Sequence, residues 1–562
     1  MAARTLLLVS FMVFAYWPAL NGGFIWDDDL YIADNPSILY LTGLFRMWLS
    51  FENHQYYPLL TTSFWIEHKV WGMNPIGYHI VNLVLHLANA LLVWHILRRL
   101  GMAGAFWVAA IFALHPVQVQ SVAWIAERKN TLSTFFYLCS LLAFLRHDES
   151  NNPRAYLISI GLFLMAVLSK SAAVTLPLAV LIIQWWKKRP LSAGLWLRLV
   201  PFFLIALGMG LVAVHVEYHQ VGAADSARTL AEKFVIAGKA FWFYLWKCLW
   251  PLNLSFVYDR WSIHPSSPWN WIGSIAAIAF ILAGIGWGIR HDRSIVAAVL
   301  FFLSGLLPVL GFFNVFYFRY SYVANHWLYL PIIGIAAAAA GLAEQVARRL
   351  RSPARVISVF WVVVMVGLAF SSHDRAKHFR NAESLWRDTL NLNPRAAIAH
   401  NNLGTILAHR SDRDEARRHF EAVLRIDTSY PTAYYNLAKI AGEESRAADA
   451  VNLYQKALQS DPADFRSHNN LGALLYQTGK YDRAVHHMRH AVQIEPRDMI
   501  ARRNLVLLLC ATGDTPHAIS EAQAAARDAV TDPQFDLILG LLLMGQPPTH
   551  GHLSIELSSD SR

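Results

Sequence analysis

Long apolar segments joined by short basic loops fill the first two thirds of this 562-residue chain. A transmembrane helix needs about 20 mostly apolar residues. Eleven segments reach or approach that length, near residues 4–20, 78–97, 103–122, 131–146, 155–170, 173–186, 196–216, 271–289, 294–313, 322–343 and 355–371. The pattern predicts an all-α, polytopic membrane body of about eleven spans.

The charged residues are unevenly distributed. Only 15% of the chain is charged, below the roughly 25% of soluble domains, and the deficit falls within residues 1–372. We therefore predict a membrane domain over 1–372, a soluble domain over 373–545 and a polar, disordered tail over 546–562. The net charge of +10 comes largely from loops between spans, so we predict no nucleic-acid partner. Three widely separated cysteines predict no disulfide framework.

The basic residues also predict orientation. Arg98 and Arg99, the segment 146–154, the segment 187–189 and the arginines at 290–293 and 348–355 lie in short loops, which face the cytoplasm. An odd span number then leaves the residues after 372 on the periplasmic or lumenal side, in a bacterial inner membrane or an endoplasmic reticulum membrane. The segment 233–250 is predicted to lie in the interface. If it spans instead, the tail is cytoplasmic.

The soluble domain contains a repeat of 34 residues. Small residues recur at that interval in two series, which are Gly404, Ala438 and Gly472, then Ala416, Ala450, Ala484 and Ala518. This spacing is typical of tetratricopeptide helix pairs, in which small residues let the two helices approach closely. Half a repeat, residues 381–394, precedes the array. Such an α-solenoid has a concave surface for a protein partner.

Polar residues recur on the first helix of each repeat, at Asn401, Asn402, Tyr435, Asn436, Asn469, Asn470 and Asn504. Two interpretations stand side by side. The residues are either ordinary polarity of the repeat or a ladder of amides that binds the backbone of a peptide.

Three carboxylates, Asp27, Asp28 and Asp29, follow the first apolar segment directly. Carboxylates beside hydrocarbon are costly and are commonly functional. One interpretation is a turn or a helix cap, since such residues favour turns. The other is a general base that removes a proton from an acceptor hydroxyl.

Further candidate residues lie at helix ends on the predicted external side. Basic residues are normally concentrated on the cytoplasmic side, so their presence on the external side needs a reason. Binding of an anionic phosphate would explain them. The candidate substrate-binding residues are His115, Glu127, Arg128, Lys129, Lys170, Arg319 and His326. No clear metal-ligand spacing accompanies them, so no metal site is predicted and the need for a divalent metal stays open.

The chain resembles the transmembrane and tetratricopeptide repeat O-mannosyltransferases, polytopic glycosyltransferases of the GT-C class, and their bacterial members in particular. The matching pieces are residues 24–28 (FIWDD), 57–59 (YPL), 74–82 (NPIGYHIVN), 112–116 (FALHP), 127–130 (ERKN), 320–322 (YSY) and 328–331 (LYLP), followed by the repeats. The resemblance implies a transferase that uses a polyprenyl-phosphate sugar, typically mannose, on a protein Ser or Thr hydroxyl. It places the acidic pair on Asp27 and Asp28, with Asp27 the preferred base.

Two other functions fit parts of the sequence. A non-enzymatic scaffold would use the membrane body to anchor repeats that assemble an envelope or secretion complex. A transporter would carry more polar residues inside the spans than His86 and Asn89.

Overall fold

The computed structural model describes residues 2–50, 55–219, 228–290, 292–350, 354–528 and 533–544, and no strand occurs in these ranges. The chain divides into two compact units, Met1–Ala396 and Ala397–Arg562. The predicted all-α architecture with a repeat array is confirmed. The predicted disordered tail, 546–562, lies outside the described residues.

The first unit contains sixteen α-helices within its described part. They are α1 (Ala2–Leu20), α2 (Leu41–Leu49), α3 (Pro58–Trp71), α4 (Pro75–Arg99), α5 (Ala105–Leu114), α6 (Val119–Ala123), α7 (Arg128–Ser150), α8 (Pro153–Ser169), α9 (Leu176–Trp186), α10 (Ala193–His219), α11 (Leu230–Leu249), α12 (Ile272–Arg290), α13 (Arg293–Leu306), α14 (Ile332–Arg349), α15 (Ala354–Lys377) and α16 (Ala382–Leu392). Short 3₁₀ turns at 116–118, 125–127, 171–175 and 325–328 join some of them.

Five of these segments are long and apolar enough to cross a bilayer, namely those at 2–20, 75–99, 193–218, 268–290 and 355–377. The bent pair α5 and α6 adds one further candidate, and three shorter apolar helices lie at 153–169, 171–186 and 293–309. The number of eleven spans stays a prediction. The segment 233–250 falls in α11, which packs against α12.

The bend between α5 and α6 follows from a proline. Pro116 lacks a backbone N–H, and its ring keeps the preceding residue out of the helical region. His115 accordingly has an extended backbone, with ψ at 131°, and the two helices meet at 51°. The predicted kink is thus present. The predicted span 322–343 differs more, because turns occupy its first part and α14 begins only at Ile332.

The described part of the second unit is a stack of four helix pairs followed by one further helix. The helices are α17 (Ala397–His409), α18 (Arg413–Ile426), α19 (Pro431–Glu443), α20 (Ala447–Ser460), α21 (Phe465–Gln477), α22 (Tyr481–Ile494), α23 (Met499–Ala511), α24 (Thr515–Asp528) and α25 (Pro533–Leu543). The first and second helices of the four pairs each begin at intervals of 34 residues. The predicted tetratricopeptide array is therefore confirmed.

Small residues allow the two helices of a pair to pack closely against each other. A Cβ atom at Gly404 would lie 2.7 Å from the Phe420 ring, and one at Gly472 would lie 2.7 Å from the Met488 side chain. Both distances are shorter than real Cβ contacts, so larger residues would force the helices apart. The turn inside each pair has a residue with positive φ at the equivalent position, which is serine in two repeats and glycine in two (Ser411, Ser445, Gly479 and Gly513).

Candidate functional site

The acidic segment after α1, residues 27–29, is held in place by hydrogen bonds between backbone N–H groups and the Asp28 carboxylate. The Asp28 side chain is fully buried. One of its oxygens accepts a hydrogen bond from the Ile25 backbone N–H at 2.9 Å, and the other accepts one from the Ala126 N–H at 2.6 Å. Both oxygens are therefore engaged in joining the acidic segment to the turn before α7.

Asp27 has a different environment. Its carboxylate is one-fifth exposed, and its Oδ2 lies 3.9 Å from the Lys129 ammonium. Its Oδ1 is buried and makes no hydrogen bond of ordinary geometry within the described part of the chain, although the Trp124 side chain is close enough to the carboxyl to lower its pKa. Burial raises the pKa of Asp27 to about 6, although Lys129 opposes the shift. Such a carboxylate is partly accessible and has a pKa near neutrality, as a general base requires. Asp29 is exposed and begins a short π-helical turn, Asp29–Ala33.

Trp26, directly before this carboxylate, has an unusual backbone. Its φ is +49°, the left-handed region that bulky residues rarely adopt. A strained residue of this kind costs on the order of 1–3 kcal/mol and persists only where its surroundings determine it. The Trp26 ring stacks on Trp124 with the ring centroids 5.2 Å apart, and four further aromatic rings pack around it at steep angles, those of Phe256, Tyr317, Tyr320 and Trp386.

A network of alternating charges extends from Asp27. Lys129 lies 2.9 Å from Glu127, and Lys170 lies 3.5 Å from the other oxygen of Glu127. Burial alone would raise the pKa of Glu127, but these two cations help to lower it to about 2. Glu127 is therefore an anion at neutral pH, and it holds both ammonium groups in place.

Asn130 completes this network and did not figure among the predicted site residues. Its side-chain oxygen accepts a hydrogen bond from Lys170 at 2.7 Å. Its amide donates to Glu127, to the Ser121 hydroxyl and to the His326 carbonyl. The only sequence signal was its place in the run 127–130, which the predicted resemblance had included.

Arg128 lies in the neighbouring interior and is fully buried. Its guanidinium donates to Glu67, to Asn82 at 2.7 Å and to the Tyr78 carbonyl at 2.7 Å, and it lies over the Phe64 ring. Each of its nitrogens is occupied by a protein partner. This arrangement favours a role in joining α3, α4 and α7 over direct contact with a phosphate. The partner Glu67 was missed because a single carboxylate in an apolar helix carries no motif.

Some of the remaining predicted residues belong to this network and others lie outside it. His326 is buried, and its Nδ1 has no hydrogen-bond partner among the described residues. His115 instead bonds the Cys248 carbonyl at 3.1 Å and accepts from the Val117 N–H. Arg319 is exposed at the end of a 3₁₀ turn. The structure thus brings Asp27, Glu127, Lys129, Lys170 and His326 together, with His115 and Arg319 outside the network.

A small cleft, partly open to solvent, lies beside the network. Lys170, Asn130 and His326 form its polar wall, and the residues that line the rest are Ser133, Thr134, Tyr137, Ala172, Ala173, Gly305, Val309, Trp327, Tyr329, Leu330 and Pro331. A cation, an amide and an imidazole therefore face a cavity with many apolar walls. Within the described residues, no group of three or more His, Cys, Asp or Glu side chains is arranged to hold a metal ion.

The asparagines of the repeats also form specific contacts. Asn504 donates to Asn469 at 2.9 Å, Asn469 donates to Asn470 at 3.1 Å, and Asn470 donates to the Tyr435 hydroxyl at 3.2 Å. All four residues are fully buried. These contacts favour the first interpretation, ordinary polarity of the repeat, because the amides bond side chains within the array.

Comparisons with known families agree with this architecture. A model described as dolichyl-phosphate-mannose-protein mannosyltransferase matches residues 58–217, which include the Arg128, Lys129 and Lys170 positions. Tetratricopeptide repeat models match residues 368–431, 443–479 and 465–498.

Curated relatives extend the match over most of the chain. Protein O-mannosyl-transferase F38B6.6 of Caenorhabditis elegans is 25% identical over 447 residues, which cover 76% of this chain and 63% of the relative. Protein O-mannosyl-transferase TMTC4 of Homo sapiens is 25% identical over 492 residues, which cover 74% of this chain and 65% of the relative. The chain is a relative of the protein O-mannosyl-transferases. The predicted resemblance to their transmembrane and tetratricopeptide repeat family is confirmed.

The chain spans slightly less than two thirds of the length of these two O-mannosyl-transferases. Among solved structures, YrrB, described as a tetratricopeptide repeat protein with an unusual peptide-binding site, is 20% identical. The match covers 29% of this chain and 84% of YrrB, with a TM-score of 0.27.

Proposed function

We propose that this protein is a membrane glycosyltransferase that moves a sugar, mannose in the first instance, from a polyprenyl-phosphate donor to a hydroxyl of an extracytoplasmic protein. The match to the mannosyltransferase model and the names of the relatives support this class of reaction. The contacts that run from Asp27 through Lys129 and Glu127 to Lys170 carry the proposal, because they join a candidate base to a cationic pocket.

Asp27 is the general base in this proposal. Its carboxylate is one-fifth exposed, and its pKa of about 6 leaves it mostly ionised at pH 7. Asp28 is the structural member of the pair, because both of its oxygens accept backbone hydrogen bonds. A base must reach the hydroxyl proton that it removes, and Asp27 is the more accessible carboxylate.

The donor phosphate binds at the polar wall of the pocket. Lys170 supplies positive charge there, and the unpartnered Nδ1 of His326 supplies a hydrogen-bonding group. Lys129 adds positive charge between the pocket and Asp27. The apolar residues of the pocket suit the first isoprene units of the lipid, which enters from the bilayer. Arg128 supports the site from the interior and does not contact the donor.

The reaction is a single displacement. Asp27 takes the proton of the Ser or Thr hydroxyl as its oxygen bonds to the anomeric carbon of the sugar. The bond between that carbon and the phosphate oxygen breaks, and the electron pair leaves with the polyprenyl phosphate. Positive charge from Lys170 and Lys129 stabilises the negative charge that develops on the leaving group. One displacement inverts the configuration at the anomeric carbon.

The repeats recruit the acceptor polypeptide and raise its concentration near the site. They lie on the periplasmic or lumenal side in this proposal, as the basic loops predict. The acceptor and donor are then both available on the same side of the membrane. The bilayer holds the lipid-linked donor from which the site is supplied.

A transfer assay with the purified protein tests the proposal. The protein is incubated with a panel of polyprenyl-phosphate sugars and a Ser/Thr peptide, and mass spectrometry detects the glycosylated product. Lys170→Met should raise the KM for the donor or lower kcat, because it removes the cation at the pocket wall. Lys187→Met is the matched control, since Lys187 is exposed directly after α9 and contacts the Leu100 carbonyl and the Trp186 ring.

Transfer by the wild-type chain that depends on Lys170 and not on Lys187 supports the proposal. Absence of transfer from every donor would instead favour the scaffold interpretation. Deletion of the repeats separates the two further, because an enzyme keeps transfer to a short peptide and a scaffold loses its function.

A further inference from the structure

Helix α16 belongs to the same compact unit as the acidic segment, although its sequence continues the repeat pattern. Residues 381–394 have the pattern of half a repeat, and a tetratricopeptide repeat model matches from residue 368. The first compact unit nevertheless extends to Ala396 and contains all of α16.

Trp386 is the residue of α16 that reaches the acidic segment. Its ring is only 1% exposed. The edge of this ring meets Trp26 at 5.9 Å and 78°, and meets Phe256 at 5.4 Å and 85°. Trp26 is the strained residue with φ at +49°, and it directly precedes Asp27. Trp386 therefore packs on the ring of the residue that directly precedes Asp27.

Two hydrogen bonds join the residues on either side of α16 to the chain near this aromatic cluster. Ahead of α16, the Arg380 carbonyl accepts a bond from the Gly23 N–H at 2.9 Å, three residues before Trp26. Behind α16, the Asn393 amide donates to the Val257 carbonyl at 3.2 Å, next to Phe256. The α15–α16 segment thus bonds the chain on both sides of the aromatic cluster.

A buried ion pair fixes α16 to the helix before it. Arg375 of α15 pairs with Asp388 of α16, and both side chains are about nine-tenths buried. His378 lies 3.5 Å from the same carboxylate. Because α15 packs along α1 and its His373 bonds the Phe14 carbonyl, α16 is anchored to the element that leads into the acidic segment.

We propose that Trp386 is a positioning residue for the base, so that α16 is a working part of the transferase unit and not only the start of the repeats. This inference rests on the proposed function, in which Asp27 accepts the hydroxyl proton. The Trp386 ring blocks the route by which Trp26 would relax from its left-handed conformation. Without that ring, the acidic segment relaxes, Asp27 becomes more hydrated and its carboxylate moves away from the acceptor.

The test uses three variants of the full chain. Trp386→Ala removes the contact, and Trp386→Phe keeps an aromatic edge against Trp26. Trp361→Ala is the matched control, because Trp361 is equally large, 5% exposed and stacked on Trp107, away from the acidic segment. If Trp386→Ala does not yield folded protein, Trp386→Leu takes its place as the smaller truncation.

Transfer kinetics are measured with a short acceptor peptide over a range of pH. We expect Trp386→Ala to lower kcat about 10- to 100-fold, as a misplaced catalytic group does, with little change in the KM for the donor. Its pH profile should shift to lower pH, because a hydrated Asp27 has a lower pKa. Trp386→Phe should recover most of the rate, and Trp361→Ala should keep both the rate and the profile of the wild type. Equal kcat values and profiles for Trp386→Ala and Trp361→Ala would overturn the proposal.

Hydrogen exchange provides a measurement that does not depend on sugar transfer. Amides of residues 22–31 should exchange faster in Trp386→Ala than in Trp361→Ala. If the wild-type chain transfers no sugar from any donor, the proposed function fails, but this comparison still applies. Faster exchange in Trp386→Ala then supports the positioning role, and equal exchange in the two variants refutes it.

Discussion

The neighbouring carboxylates Asp27 and Asp28 should respond in opposite ways to the same substitution. In Asp28→Asn, one side-chain oxygen remains to accept a hydrogen bond, while the new amide faces a backbone N–H that needs an acceptor. The N–H groups concerned belong to Ile25 and Ala126, at 2.9 and 2.6 Å. Burial raises the pKa of Asp28 as well, so the loss comes from the buried N–H that is left without an acceptor, which costs about 1–3 kcal/mol. We expect the free energy of unfolding to fall by about that amount.

Asp27→Asn should leave stability nearly unchanged. Its ionic contact is the 3.9 Å approach to Lys129, which is near the outer limit of an ion pair and therefore contributes little. Lys129 keeps Glu127 at 2.9 Å. The substitution also removes a carboxylate whose burial is unfavourable, as its raised pKa indicates. The transfer rate should nevertheless fall about 10²- to 10⁴-fold, the usual effect of losing a general base.

The assay measures both quantities on each variant of the purified chain. Denaturant titration in detergent, followed by tryptophan fluorescence, gives the difference in unfolding free energy, and sugar transfer to a peptide gives kcat. The reasoning is refuted if Asp27→Asn retains the wild-type rate. It is also refuted if Asp28→Asn keeps wild-type stability and alone loses the rate, since the roles of the two residues would then be exchanged.

Three further predictions concern charge and pH. The rate should fall as pH decreases through about 6, because Asp27 must be ionised to act as a base and its pKa is about 6; Lys129→Met should move this midpoint to higher pH, since the cation lowers that pKa. Glu67→Gln should destabilise the first unit by about 3–5 kcal/mol, because it leaves its buried arginine partner without a counter-charge, and unfolding titration measures the loss. The repeats should lose stability as pH decreases from about 6.5 towards 4. Burial and the adjacent His468 lower the pKa of His487 to about 4, so the unfolded chain binds protons first.

Controls make each of these predictions specific. The pH profile of Lys187→Met should keep the wild-type midpoint, and an unchanged midpoint in Lys129→Met would contradict the electrostatic argument. A loss below 1 kcal/mol for Glu67→Gln would mean that the buried arginine does not depend on Glu67 for its counter-charge. Replacement of His487 with glutamine should remove part of the acid sensitivity of the repeats, measured by circular dichroism at each pH. Equal sensitivity in the variant would exclude this histidine as the cause.

The candidate site could be predicted in part. The acidic segment and the basic residues at 129 and 170 stand out in sequence because charges beside apolar helices are rare. Sequence reasoning treated Arg128 and Lys129 alike, since both are cations in one turn. The structure separates them, because successive residues at a helix start point in different directions. Arg128 turns to the interior and bonds Glu67, whereas Lys129 turns to Asp27 and Glu127.

The role of α16 was less accessible to sequence reasoning. Its residues match a half repeat, and the spacing of residues 381–394 continues the pattern of the array. Nothing in that spacing indicates that Trp386 packs on Trp26, which is 360 residues earlier in the chain. The contact arises because α15 returns alongside α1, and this pairing brings the two segments together.

By itself, the sequence determined the features that depend on regular spacing along the chain. The apolar segments, the bend at Pro116 and the 34-residue repeat are of this kind, because helix formation and helix pairing are decided by residues a few positions apart. The tertiary structure alone decided what each charged side chain does. Asp27 and Asp28 are adjacent and chemically identical, and they differ because the Ile25 and Ala126 N–H groups bond one carboxylate and leave the other available.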